Sequence, residues 1–263
     1  MLGVDSSFPI IIGGVHRSGT TLLRRLLDGH PKIFCPAEIK FHKDLLAQYL
    51  DDPLAHGRLG SSIRALDLPT ETWLDAFGVA LCRCYDIAAR KAGKTRWADK
   101  NPENALNASH WDRLLDGRRA FVLVIRHPLD VIASIAETPM PRDIPIDIVG
   151  RAAHVRDYIT AGLAFADDHP ERSILVRYER LVREPRDALS ELTSFLGEEY
   201  DNAMINNLLT GSHGEGIEDP KARRHVDISS ENVGRWRRDL STDQVRLAKP
   251  LLAAICQRLD YEI

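Results

Sequence analysis

The chain has 263 residues, of which 44 % are hydrophobic and 28 % charged, and its formal net charge is -3. These values are ordinary for a globular protein and exclude a disordered, collagen-like or membrane-embedded class; a chain of this length can fold as a single domain, residues 1–263. The negative total argues against a general nucleic-acid binder, so any anion site has to be a local concentration of cations.

The N-terminus has no basic segment followed by a long apolar stretch, and the apolar run Phe8 to Ile12 is too short to span a bilayer. A cytoplasmic location with no membrane attachment is expected. Pro9 to Gly13 reads as a short strand buried on both faces. A polar turn, Gly14 to Gly19, leads into a helix over Thr20 to Asp28 with leucines at helical spacing, stopped by Gly29-His30-Pro31. Glu71 to Ala92 reads as a long amphipathic helix and Thr95 to Ala98 as a brief strand. Ala120 to Ile125 is the clearest buried strand, and Pro128 opens a helix with an apolar face at Leu129, Ile132, Ala133 and Ala136. Thr138 to Pro145, with three prolines, is a loop. A helix ending near His169-Pro170 follows, then a strand over Ser173 to Val176 and a helix over Arg186 to Leu196. Thr210 to Ser230 has no period and is expected to be a mobile surface loop. Strands alternating with helices predict an α/β fold, a central parallel sheet flanked by helices. Cys35, Cys82, Cys84 and Cys256 lack metal-ligand spacing and read as free thiols.

The turn after the first strand, Gly14-Val15-His16-Arg17-Ser18-Gly19-Thr20-Thr21, has P-loop spacing with one change: Thr20 stands where a nucleoside-triphosphate hydrolase has lysine. This points to a P-loop-containing nucleotide hydrolase-like fold. Main-chain N–H groups of such a turn form an anion site whatever the side chains are. A second departure is independent of the first. The strand that should end in a magnesium-serving acid ends in Arg126. A cation cannot ligate a metal, but it suits an extra phosphate, with Ser134 about two helical turns further on. No metal site is expected; both changes favour a bisphosphorylated nucleoside.

These residues resemble the sulfotransferases that use 3'-phosphoadenosine 5'-phosphosulfate (PAPS). HRSGTTLL is similar to their 5'-phosphosulfate loop, and VIRHPLDVIAS to their 3'-phosphate motif. The pattern is nearest to tyrosylprotein sulfotransferases. In LLRRLLDGHPKIFCPAEIKF, Glu38 falls at the position of their catalytic-base glutamate. Asp99-Lys100-Asn101-Pro102 resembles the motif that carries their catalytic lysine, Tyr178 in VRYERLVREP matches their adenine-contacting tyrosine, and Arg235-Trp236 matches a basic residue before tryptophan. Two features depart from the pattern: a further basic ligand falls on Thr138, and Lys221 to Ser230 matches poorly.

The resemblance implies transfer of a sulfonate group from PAPS to a hydroxyl acceptor, leaving 3'-phosphoadenosine 5'-phosphate (PAP). Glu38 would be the general base, with Lys100 and Arg17 on the leaving oxygen and sulfonate. Arg17, Ser18, Gly19, Thr20 and Thr21 would hold the 5' end, Arg126, Ser134 and Arg235 the 3'-phosphate, and Tyr178 the adenine. The acceptor, a small molecule or a peptide with phenol and tyrosine among the candidates, is left open, and so is the oligomeric state. Each residue has a plainer reading: a solvated loop cation for Arg17, a sheet-edge cap for Arg126, a surface carboxylate for Glu38, a turn residue for Lys100 and a core aromatic for Tyr178. His42 and His127 are alternative bases, His127 being expected to be structural at its helix start. Rival functions are a P-loop small-molecule kinase and a non-catalytic nucleotide-binding module.

Overall fold

The computed structural model describes residues 4–40, 61, 64–137, 144–210 and 228–263. Five parallel strands form one sheet in the order β2-β3-β1-β4-β5: β1 (Ile10–Gly14), β2 (Ile33–Phe34), β3 (Arg96–Lys100), β4 (Ala120–Ile125) and β5 (Ser173–Arg177). The helices are α1 (Thr20–Asp28), α2 (Thr70–Lys91), α3 (Ala108–Leu114), α4 (Pro128–Glu137), α5 (Ile148–Asp168), α6 (Tyr178–Arg183), α7 (Pro185–Phe195), α8 (Ala203–Thr210), α9 (Trp236–Asp239) and α10 (Thr242–Arg258). A 3₁₀ turn covers Pro102–Ala105.

Strand alternation divides the interior into two layers. Ile11, Phe121, Leu123 and Ile125 face the layer built with α2, α3, α4, α5 and α10. Ile10, Ile12, Val122 and Val124 face the layer built with α1, α6, α7 and α8. Both faces of β1 and β4 are therefore covered, which is why these strands read as unbroken apolar runs. Gly13 is required by a close approach: a Cβ there would lie 2.5 Å from the main-chain nitrogen of Ala105.

The predicted strands and helices up to residue 196 are present with small shifts of boundary. The segment Thr138 to Pro145 lies largely, and Thr210 to Ser230 mostly, outside the described residues. Among the described residues no helix is long and apolar enough to cross a membrane, and all four cysteines are unpaired.

The connection from β3 to β4 passes over β1, so chain direction across the sheet reverses there. In open α/β sheets that reversal leaves a crevice at the carboxyl ends of the strands. The first turn after β1, the end of β3 at Lys100, the residue after β4 at Arg126 and the residue after β5 at Tyr178 all lie along this edge.

Candidate active site

The loop after β1 turns sharply enough to place Arg17 at φ 70°, a left-handed conformation that is uncommon for a residue with a Cβ and that clusters at functional sites. Gly19, at φ 99°, lies against the ring of Tyr178: a Cβ on it would sit 2.5 Å from Tyr178 Cδ2. The loop therefore closes onto an aromatic ring supplied by the start of α6. The Arg126 guanidinium stands 4.5 Å from the centroid of that same ring.

Arg126 points into the mouth of the loop. It donates to the Arg17 carbonyl (3.0 Å) and to the Asn232 carbonyl (2.7 Å), and its Nε has no partner among the described residues. Arg17 in turn donates from Nε to Ser134 Oγ (3.1 Å). Sequence reasoning placed Arg17, Arg126 and Ser134 around one nucleotide, and the structure brings the three together. Ser18 is fully buried with its Oγ unpartnered among the described residues, a donor available inside the loop. A buried hydroxyl and a buried guanidinium N–H left unmade beside a main-chain turn are the groups a phosphorylated ligand satisfies, so the residues present fit PAPS.

Arg235 is placed differently. Its guanidinium meets Glu137 (2.7 Å), Asp239 (2.6 Å) and the Asn232 side chain (3.2 Å), so two carboxylates already hold it. The segment that carries it is anchored by the fully buried Asp130, which accepts from the N–H groups of Gly234 (2.7 Å) and Trp236 (2.9 Å). Asp130 and Asn232 escaped the sequence reading, because what they do depends on a contact between α4 and a segment about a hundred positions away. His127 accepts from the Leu129 N–H at Nδ1 (3.2 Å), so Nε2 carries the proton toward the Glu262 carbonyl (2.8 Å). Its ring stacks on Trp236, and burial pushes its pKa down. That is the structural role expected of it. His42 lies outside the described residues, as does Thr138.

On the other side of the loop, the end of β3 buries Lys100 completely. Its ammonium donates to Glu38 Oε1 (2.6 Å) and Thr21 Oγ1 (3.2 Å). Glu38, Lys100 and Thr21, predicted from separate motifs, therefore form one cluster. Sequence reasoning missed Lys40, which pairs with Glu38 Oε2 at 2.8 Å and with Glu103 Oε2 at 3.2 Å. Its spacing of two from Glu38, one face of an extended segment, was the available signal. Glu103 also faces His16 Nε2 at 3.7 Å. Burial works to raise the pKa of Glu38, but Lys100 and Lys40 outweigh it and hold the carboxyl below the ordinary carboxylate range. Burial pulls Lys100 down while Glu38 opposes it. Among the described residues no group of three or more histidines, cysteines and acids is placed to hold a metal ion.

A parallel sheet with a glycine turn after β1, a cation where a metal-serving acid would stand and a buried lysine-glutamate pair at one sheet edge make up the frame of a P-loop-like protein. The chain belongs to the sulfotransferase family, whose model matches residues 9–202, and it is a PAPS-dependent sulfotransferase. A putative protein-tyrosine sulfotransferase of Caenorhabditis briggsae is 29 % identical over 204 residues, covering 75 % of this chain and 68 % of the relative. Protein-tyrosine sulfotransferase 2 of Gallus gallus is 27 % identical, with 96 % and 69 % covered. Among solved structures, the sulfotransferase domain of the Synechococcus olefin synthase superposes with a TM-score of 0.66 at 25 % identity, covering 100 % of this chain and 97 % of that one. A mouse sulfotransferase solved with PAP, at 13 % identity and a TM-score of 0.56 over 98 % of this chain and 87 % of that one, shares the fold. With the family established, the kinase and non-catalytic readings fall away.

Proposed function

We propose that Glu38 takes the proton of the acceptor hydroxyl while Lys100 and Arg17 stabilise the charge that builds on the leaving 5'-phosphate. The observation that carries this reading is the single ammonium of Lys100 bridging Glu38 Oε1 and the loop hydroxyl of Thr21. One cation touches both the base and the anion loop, so the two partners of the transfer can meet across it. PAPS, when bound, supplies the sulfonate. Positioning and charge stabilisation then do most of the work.

In the resting site Glu38 is paired with two lysines and is a weak base. When Lys100 turns toward the leaving oxygen, Glu38 keeps only Lys40, and its basicity rises as the acceptor arrives. General-base assistance of this kind is worth about 10²- to 10⁴-fold. Arg126 and Ser134 would hold the 3'-phosphate, Ser18 and the main chain of Gly19 to Thr21 the 5' end, and Tyr178 the adenine. Arg235 would join only by exchanging a carboxylate for phosphate.

For the acceptor, a phenol or peptidyl tyrosine is supported by relatives named as protein-tyrosine sulfotransferases. The other acceptor class is a small-molecule alcohol. Thermal shift with PAP, ATP and AMP in parallel tests the nucleotide assignment: PAP should stabilise most, and a preference for ATP would contradict it. Radiolabelled PAPS offered with a tyrosyl peptide, simple phenols and aliphatic alcohols decides between the acceptor classes.

A further inference from the structure

The residues flanking Lys100 take no part in the chemistry described so far, yet they are among the most heavily bonded buried polar groups of the molecule. Asp99 is 1 % exposed. Its Oδ2 accepts from the Tyr85 hydroxyl (2.5 Å), and its Oδ1 accepts from the side-chain amides of Asn101 (2.9 Å) and Asn104 (2.8 Å). Asn104 is itself fixed by donating to the Ile12 carbonyl (3.1 Å) and accepting from Trp111 Nε1 (2.9 Å). The Asn101 amide nitrogen also donates to the Ile39 carbonyl (3.0 Å). Both of its partners are acceptors, so the orientation of the amide is unambiguous.

Alternation along the strand puts Asp99 and Asn101 on the opposite side from Lys100. The segment that carries Glu38 is thus gripped from both: Lys100 holds the Glu38 carboxylate, and Asn101 holds the main chain of the next residue. The amide leaves its own Oδ1 buried and without a partner among the described residues.

We propose that Asn101 is a positioning residue for the Glu38–Lys100 pair, its amide strapping the main chain that follows Glu38 to the buried Asp99 carboxylate at the end of the strand that carries Lys100. The inference rests on Glu38 acting as base. When Lys100 turns to the leaving oxygen, the strap and Lys40 are what keep the carboxylate on the acceptor hydroxyl.

The test is a double-mutant cycle with radiolabelled PAPS and N-acetyltyrosinamide as acceptor probe, with PAP binding measured by calorimetry in every variant. Asn101→Ala should lower kcat by about 10- to 100-fold, the scale of a misplaced catalytic group, and leave PAP affinity unchanged. In the Glu38→Gln background the same substitution should cost less than about threefold, because there is no base left to misplace. Equal factors in both backgrounds would overturn the strap. Asn101→Ser, a milder change that cannot span both acceptors, is measured alongside; loss of PAP binding in both variants would also overturn it and make Asn101 a residue of the fold. Near-normal turnover of Glu38→Gln alone would instead overturn the base assignment, and it is read from the single variant. Repeating the cycle with 4-nitrophenol, which ionises without help, should shrink the Asn101→Ala defect; an undiminished defect counts against the proposal.

Discussion

The two sides of the crevice hold their cations in different ways. On the nucleotide side, Arg126 is held by two main-chain carbonyls and an aromatic face, all of them neutral. On the transfer side, Lys100 and Lys40 are held by carboxylates at 2.6 and 2.8 Å. A phosphate entering the first region gains charge pairing against partners that offer none. In the second region it would have to compete with carboxylates, and the pairing is better suited to setting where a proton goes. On the proposed reading, a cation without an acidic partner is recruited by the ligand, whereas the lysines paired with Glu38 hold its proton affinity down until Lys100 turns to the leaving oxygen. Arg235, near the nucleotide side but tied to Glu137 and Asp239, is the case that cuts across this division.

The largest expected effect breaks the transfer side alone. Glu38→Gln should lower kcat by at least about 100-fold in a steady-state assay, since it removes a group used in the transition state; near-normal turnover would remove Glu38 from the chemistry. Next, Arg126→Ala should weaken PAP by about 1.5 to 3 kcal/mol, the scale of hydrogen bonds to a charged group, which is about 10- to 150-fold in Kd. Calorimetry with unchanged affinity would detach Arg126 from the phosphate.

The pH dependence separates carboxylate from imidazole. Because Lys100 and Lys40 overcome burial and depress the Glu38 pKa, the Glu38 carboxylate proposed as base is already ionised at neutral pH. Activity should be lost only as pH falls through that lowered value. The acid limb of kcat/KM, which reports the free enzyme, should therefore lie below the ordinary carboxylate range. A limb near about 6.5 would point to a histidine. The smallest effects sharpen the position of Arg235. Arg235→Ala should weaken PAP less than Arg126→Ala, and Glu137→Gln, which frees one of its partners, should tighten PAP by about two- to fivefold. A larger loss at Arg235 than at Arg126 would reverse their assigned roles.

The early strand, loop and first helix were legible in the sequence because each signal is local: isoleucines for a doubly buried strand, P-loop spacing, leucines at helical period and a Gly-His-Pro stop. β4 and the helix opened by Pro128 were legible for the same reason. The two-residue β2 was too short to show a period. α10 was missed although Ser241 and Gln244 form a capping box at its start, because Pro250 interrupts the pattern. In the candidate site, Glu38, Lys100 and Arg17 came from motif likeness and Arg126 from its place after a buried strand, where a metal-serving acid was expected, and the geometry draws them to one edge. Lys40, Glu103 and the Asp99–Asn101 strap depend on distances between segments some sixty positions apart, which no local pattern encodes. The carboxylates on Arg235 come from residues as far as 98 positions away, so its pairing was equally invisible.

The division between the two sides is tested most directly by titrating PAP into Arg126→Ala and Glu38→Gln under identical conditions. Affinity should fall in the first variant and should not fall in the second. Equal weakening in both, or weakening confined to Glu38→Gln, would contradict it.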